Sequence, residues 1–284
     1  MLAIGLALPS VAAAAAAPLP KAEVERAVVH ALPAWHGKTA KVIKYLDLTH
    51  SFETVSQWAL VAARDPTPAP PDVALLGNDS PIAICFVKIL APKCSEVRGH
   101  ADKQWFDMTN ALDTVAVVFA GPSPARPLLM LKTCSAHGLN GSCDIRTALF
   151  AYERKKDTFR QVFVNDSGGS NNNQAARFVE HGPLQGDVIV DYPTDHTPYT
   201  YWIEVYAPTK SGRYARILRY RGHTGYGDGN RLPVADSEMP EILGKLGLWK
   251  PGDALPVPEQ MPEGCGRLVL RRGEEWCKKS LAGK

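Results

Sequence analysis

Thr147-Ala-Leu-Phe-Ala-Tyr-Glu153 and Phe159-Arg-Gln-Val-Phe-Val164 flank the turn Arg154-Lys-Lys-Asp157. Aromatic and β-branched residues alternate with others at period two, which is the signature of half-buried antiparallel strands joined as a hairpin. The same arrangement returns downstream. Thr200-Tyr-Trp-Ile-Glu-Val-Tyr206 and Tyr214-Ala-Arg-Ile-Leu-Arg-Tyr220 flank Ala207-Pro-Thr-Lys-Ser-Gly-Arg213. These two hairpins decide the fold class as all-β.

Working outward, Thr114-Val-Ala-Val-Val-Phe119 and Leu128-Leu-Met-Leu-Lys132 bracket Gly121-Pro-Ser-Pro124, and Gln57-Trp-Ala-Leu-Val-Ala-Ala63 and Ile82-Ala-Ile-Cys-Phe-Val87 are strand-like too. Asp187-Val-Ile-Val190 is read as repeating the role of 114–119, and 200–206 that of 128–132. The expectation is two or three antiparallel units, at 56–100, 113–165 and 186–220, each of about four short strands. Such units build propeller blades, sandwiches or an open stack of sheets.

Helical spacing is confined to short stretches. Val24, Ala27, Val28 and Ala31 share one face before Pro33, which predicts a short N-terminal helix. A second helix is predicted over 237–246, capped by Asp236 or Ser237 with Pro240 in its first turn. The whole is therefore divided into a signal peptide (1–17), a helix and lead-in (18–55), a β-repeat domain (56–247), a proline-rich linker (248–262) and a C-terminal hairpin (263–284).

The first residues carry a cellular address. Leu2-Ala-Ile-Gly-Leu-Ala-Leu8 is an apolar core, and the alanine run to Ala17 offers A-x-A cleavage sites. The run is too short and too interrupted by Pro9 to span a bilayer, so the expectation is a periplasmic or secreted protein cleaved near Ala17. Six cysteines in sequential couples fit an oxidising compartment: Cys85 with Cys94, Cys134 with Cys143, and Cys265 with Cys277. Zinc held by Cys134, His137 and Cys143 is the rival reading, which the lack of a C-x-x-C disfavours. A formal charge of +3 with no basic stripe argues against nucleic acid. Arg271 and Arg272 with Lys278 and Lys279 read as a solvated cluster near the C-terminus.

Three groups of residues are candidates for function. The loop Asn165-Asp-Ser-Gly-Gly-Ser-Asn-Asn-Asn-Gln174 carries Asn171, Asn172 and Asn173, with Arg177 and His181 following. So many amides exceed what a turn requires and suit hydrogen bonding to a sugar or peptide, although Asn, Ser and Gly are also ordinary turn formers. Arg221-Gly-His-Thr-Gly-Tyr-Gly-Asp-Gly-Asn230 supplies Tyr226, Asp228 and Asn230. Its alternating oxygen ligands resemble part of a calcium loop, but Leu232 stands where the next ligand belongs. Asp228, Asp236 and Glu238 are the candidate catalytic carboxylates, since glycoside cleavage needs two carboxyls flanking one bond. A helix cap and a glycine-rich turn explain the same residues without chemistry. The third group is the tyrosines and Trp202 crowded between 192 and 226, as potential platforms.

No G-x-S-x-G, H-E-x-x-H, G-x-G-x-x-G or complete P-loop is present. The expected function is thus a non-catalytic binding or interaction module for a partner protein or a cell-envelope ligand. The alternative is a secreted hydrolase of glycan or peptide acting through loop carboxylates.

Overall fold

The structure, a computed structural model, describes residues 22–23, 41–64, 82–89, 94–97, 110–121, 126–135, 143–168, 174–197, 199–225, 227–259 and 261–279. The expected export signal, most of the expected N-terminal helix, Asn171, Asn172, Asn173 and Tyr226 lie outside the described residues. Among the described residues, strand outweighs helix 53% to 9%, and no barrel closes.

Three four-stranded antiparallel sheets each run in chain order. Sheet A contains β1 (Lys41–Asp47), β2 (Trp58–Arg64), β3 (Ile82–Lys88) and β4 (Cys94–Glu96). Sheet B contains β5 (Ala111–Ala120), β6 (Arg126–Cys134), β7 (Ile145–Glu153) and β8 (Thr158–Ser167). Sheet C contains β9 (Ala175–Phe178), β10 (Val188–Pro193), β11 (Tyr201–Pro208) and β12 (Tyr214–Arg221). A short helix, α1 (Thr49–Phe52), joins β1 to β2, while α2 (Val234–Ser237) and α3 (Met239–Lys245) follow sheet C. The chain then forms the hairpin β13 (Cys265–Arg271) and β14 (Glu274–Lys279).

The sheets stack face to face, with sheet B in the middle. Leu129, Leu131, Ala148 and Phe150 of sheet B pack on Leu60, Ile84 and Phe86 of sheet A. From the opposite face, Leu128, Met130, Leu149 and Ala151 meet Phe178, Val188 and Val190 of sheet C. This is why β6 reads Leu128-Leu-Met-Leu131, a continuous apolar run: a strand covered on both faces has no polar side to alternate with. A bulge between Leu149 and Phe150 shifts the register with β8 and turns both Val162 and Phe163 toward sheet C. The outer face of sheet C, with Ile189, Tyr201, Ile203 and Val205, is covered by Ala235, Ile242 and Leu243 of the helices.

One carboxylate stitches sheets A and B together. Asp157, in the β7–β8 turn, adopts a left-handed φ of 47°. It accepts hydrogen bonds from Ser56 Oγ at 2.6 Å, Trp58 Nε1 at 2.9 Å and Tyr152 OH at 2.6 Å, and it pairs with Lys88. Burial opposes its ionisation, but the donors from Lys88, Ser56, Tyr152 and Trp58 outweigh it and hold the carboxyl far below the ordinary range.

The structure corrects several boundaries. β1 lies in the stretch read as lead-in, so sheet A starts earlier than residue 56. The repeat alignment is displaced by one strand: residues 114–119 belong to the first strand of sheet B, whereas 187–190 enter the second strand of sheet C. The first strand of sheet C is the four-residue Ala-Ala-Arg-Phe of β9, too short and too poor in β-branched residues to show an alternation. Asp236 and Ser237 cap nothing by side chain; both lie within α2, whose N-cap is Pro233, and Glu238 occupies the N-cap position of α3.

The disulfides close across short loops. Cys134–Cys143 and Cys265–Cys277 are formed, with Cα atoms 5.8 and 5.5 Å apart. The Cys134–Cys143 bond displaces the zinc alternative. Cys85 is also disulfide-bonded, and the side chain of Cys94 lies outside the described residues. Two such bonds fit an extracellular or periplasmic protein. No helix among the described residues is long and apolar enough to cross a membrane.

Candidate binding cleft

Antiparallel register brings several loops to one end of sheet C. Ala175 of β9 pairs with Asp191 of β10, Pro193 pairs with Tyr201, and Trp202 pairs with Arg221. The described residues Gln174, Thr194, Thr200 and Gly222, which flank these strand ends, therefore lie at the same end of the sheet. His181 lies in the turn at the other end of β9, and it is exposed.

Glu238 fixes the 222–233 segment. It is wholly buried between α2 and α3. Its Oε1 accepts from the amides of His223 and Thr224, both at 2.7 Å, and from Thr224 Oγ1 at 2.8 Å. Its Oε2 accepts from Tyr220 OH at 2.9 Å, and burial plus this neighbouring charge push the phenol far above its ordinary range. The chain passes so close that a Cβ at Gly222 would stand 2.7 Å from Glu238 Oε1, which is why this position is glycine.

The other predicted site residues are also joints of the fold. Asp228 accepts the amides of Gly225 at 3.1 Å and Asn230 at 2.7 Å, an Asx-type turn that occupies both carboxylate oxygens. Asn230 Nδ2 donates to Ser237 Oγ at 2.9 Å and to the carbonyl of Glu275 at 2.8 Å. Asp236 is buried against Arg177 of β9 at 2.7 Å and takes the Glu259 amide at 3.2 Å. Asp228, Asp236 and Glu238 thus belong to a turn, an ion pair and a hydrogen-bond hub. They do not line one cleft. Among the described residues, no group of three or more His, Cys, Asp or Glu is placed to hold a metal ion. The calcium candidates Asp228 and Asn230 spend their side chains within the turn and on its neighbours.

Of the three carboxylates, Asp228 alone faces an open space. A cleft of about 700 Å³ lies between its turn and the tip of the β13–β14 hairpin, lined by His223, Gly225, Asp228, Arg271, Arg272, Glu274 and Trp276. The hairpin tip has positive φ at Arg272 (53°) and Gly273 (90°), the pattern of a type I′ turn, whose twist matches the strands. A Cβ at Gly273 would lie 3.2 Å from Glu241 Oε2 of α3, so the tip is seated closely on the helix. The Arg271 guanidinium stands 5.0 Å from the Trp276 ring centroid. Trp276 Nε1 donates to Glu274 Oε2 at 2.7 Å. Burial raises the Glu274 carboxyl; the Trp276 bond and His223 oppose the rise, and the charges of Glu238 and Asp228 add to it.

A second, smaller cleft of about 430 Å³ opens at the rim of sheets B and C. It is lined by Asn165, Asp166, Ser167, Gln174 and residues 190–195. The described flanks of the asparagine loop therefore border a cavity. Arg177 points the other way, into the ion pair with Asp236.

No family model matches the sequence, and no curated protein or solved structure is significantly similar to it. Function has to be argued from the cleft itself. Sequence reading missed Arg271, Arg272, Glu274 and Trp276 because they sit about 45 residues after Asp228 and reach it only through the docking of the hairpin. The sole sequence signal was a double arginine beside a glycine turn.

Proposed function

We propose that this is a non-catalytic binding module of an extracytoplasmic compartment, which holds an acidic cell-envelope glycan in the cleft between the hairpin tip and the 222–230 turn. One observation carries the reading. Arg271 and Arg272 face the cleft without an ion-pair partner among the described residues, while Asp228 is engaged by the amides of Gly225 and Asn230 and Glu274 by the Trp276 indole. Guanidinium forks suit carboxylate or sulfate groups, and an adjacent Trp face suits a sugar ring. The volume is that of a small-ligand site.

The test is a thermal shift and calorimetric titration with trigalacturonate, using maltotriose as the neutral control. At a hundred times its dissociation constant a ligand adds about 2.7 kcal/mol, which moves the melting point by several degrees. The acidic sugar is expected to do this and the neutral one not, with Arg271→Ala/Arg272→Ala lowering affinity at least tenfold. An equal response to both sugars, or none to either, overturns the reading.

A second reading, hydrolysis of glycan or peptide, is favoured by one feature: Glu274, a carboxyl with a raised pKa, shares the cleft with Asp228. Release of reducing ends or amines that disappears in Glu274→Gln supports it. Binding without turnover excludes it for the sugar tested.

A further inference from the structure

We infer that proton binding at Glu275 governs the docking of the β13–β14 hairpin: the hairpin seats when this carboxyl is neutral and loosens when it ionises. This concerns regulation of the same cleft, and its effect on ligand rests on the function proposed above.

Glu275 has no exposed surface, and neither of its carboxylate oxygens has a hydrogen-bond partner. Its backbone carbonyl, by contrast, is an anchor that takes Asn230 Nδ2 at 2.8 Å and Ser237 Oγ at 3.2 Å. Successive residues of a strand point to opposite faces. Glu275 therefore stands between Glu274 and Trp276, the two β14 residues that line the cleft. Any movement that brings the Glu275 carboxyl to water carries those two with it.

The charges around Glu275 do not compensate it. Asp236 of α2 faces it and adds repulsion; its own Oδ2 is also without a partner. The cation that pairs with Asp236, Arg177 of β9, is divided between it and Glu259 of the 254–259 segment. Behind them, Asp191 of β10 is buried against the same arginine, and Glu238 is saturated by the 222–224 segment. On the cleft side, His223 and Asp228 face Glu274. An ionised carboxylate without a partner is strongly disfavoured in such a place. Burial first, and the Asp236 charge second, raise Glu275 to about 7.

The sign follows from linkage. The docked hairpin binds the proton more tightly than the undocked one, so docking is strongest in acid and weakens as pH rises through neutrality. With a carboxyl that shifts from the ordinary glutamate value of 4.5 to about 7 on docking, the docked-to-undocked ratio falls about seventyfold between pH 5 and pH 8. The hairpin stays one unit throughout, because Cys265–Cys277 staples its base.

The experiment is carboxyl ¹³C NMR of the full chain from pH 5 to pH 8, with Glu275 assigned by Glu275→Gln and the Trp276 indole N–H assigned by Trp276→Phe. In the wild type, the Glu275 carboxyl and the Trp276 indole are expected to titrate together near neutrality, with trigalacturonate affinity falling at least tenfold over the same range. Glu275→Gln should hold the indole signal constant and remove most of the fall in affinity. His223→Asn and Asp191→Asn, which alter other side chains around the hairpin and sheet C, should leave the shared midpoint in place. A Glu275 carboxyl titrating in the ordinary glutamate range, or an indole signal indifferent to pH in the wild type, overturns the inference without reliance on any variant. Coupled titration with no binding of the acidic sugar leaves the proton latch standing and overturns the proposed ligand.

Discussion

Replacing Asp157 by alanine is expected to separate sheet A from sheet B more effectively than any single apolar truncation. Asp157 receives Ser56 Oγ, Trp58 Nε1 and Tyr152 OH, all within 2.9 Å, and its pairing with Lys88 adds a charge. Hydrogen bonds to a charged acceptor contribute about 1.5 kcal/mol each, and donors left buried without a partner cost a similar amount. The Lys88 side chain is 37% exposed, so its share is screened and stays under about 1 kcal/mol. Alanine at a φ of 47° adds about 1 kcal/mol of backbone strain. The total is about 5–7 kcal/mol, read as a lower urea midpoint at unchanged slope. Asp157→Gly removes the acceptor without that strain and should be about 1 kcal/mol milder; Asp157→Asn keeps one acceptor and tolerates the conformation, and should lose about half. The carboxyl is held low in the folded state, so its contribution is present above the ordinary carboxylate range and is lost as pH falls below it. Asp157→Ala within 0.5 kcal/mol of wild type, on the order of ordinary surface changes, would refute the reasoning. So would wild-type acid sensitivity that persists unchanged in the variant.

Two further outcomes follow from the core and the staples. Leu129 is wholly buried where sheet B packs on sheet A, so Leu129→Ala should cost about 2–5 kcal/mol in urea unfolding. Reducing agent should lower the melting temperature by several degrees, because the nine- and twelve-residue separations of Cys134–Cys143 and Cys265–Cys277 lose their loop constraint.

The fold was legible where strands are long. Both 147–153 and 200–206 are strands: in the second, Tyr201, Ile203 and Val205 share the face covered by the helices, whereas the first is covered on both faces, by sheet A at Ala148 and Phe150 and by sheet C at Leu149 and Ala151. β9 and β4 were not legible, since three or four residues give no period to read. β1 begins with the exposed lysines Lys41 and Lys44, so its sequence looks like a lead-in. The turn at 225–230 was half legible: Asp-Gly-Asn announces a tight bend, and Asp228 makes it. Glu238 as a hub was hidden, because its donors Tyr220, His223 and Thr224 lie 14 to 18 residues upstream. Arg177 with Asp236, 59 positions apart, has no local signature. Arg271 and Arg272 looked solvated because nothing in their own stretch says that the hairpin folds back onto the 222–230 turn.

The two ends of the stack treat buried carboxylates in opposite ways. Where sheets A and B are stitched, Asp157 is surrounded by donors and stays ionised. At the open end of sheet C, Glu275 and Asp191 are more deeply buried, yet oxygens of both lack partners, and burial lifts them to about 7 and about 8. Three mutually supportive donors at one end show that this chain readily places partners for a carboxylate where adhesion is needed. Leaving Glu275 without one gives up stability at the very strand that walls the cleft, and such local concessions concentrate where a protein binds or switches. An apolar residue at 275 would therefore be expected to strengthen the fold and abolish the pH response together. Glutamine would abolish the response with little gain in stability, and that difference separates a titrating device from a poorly filled core.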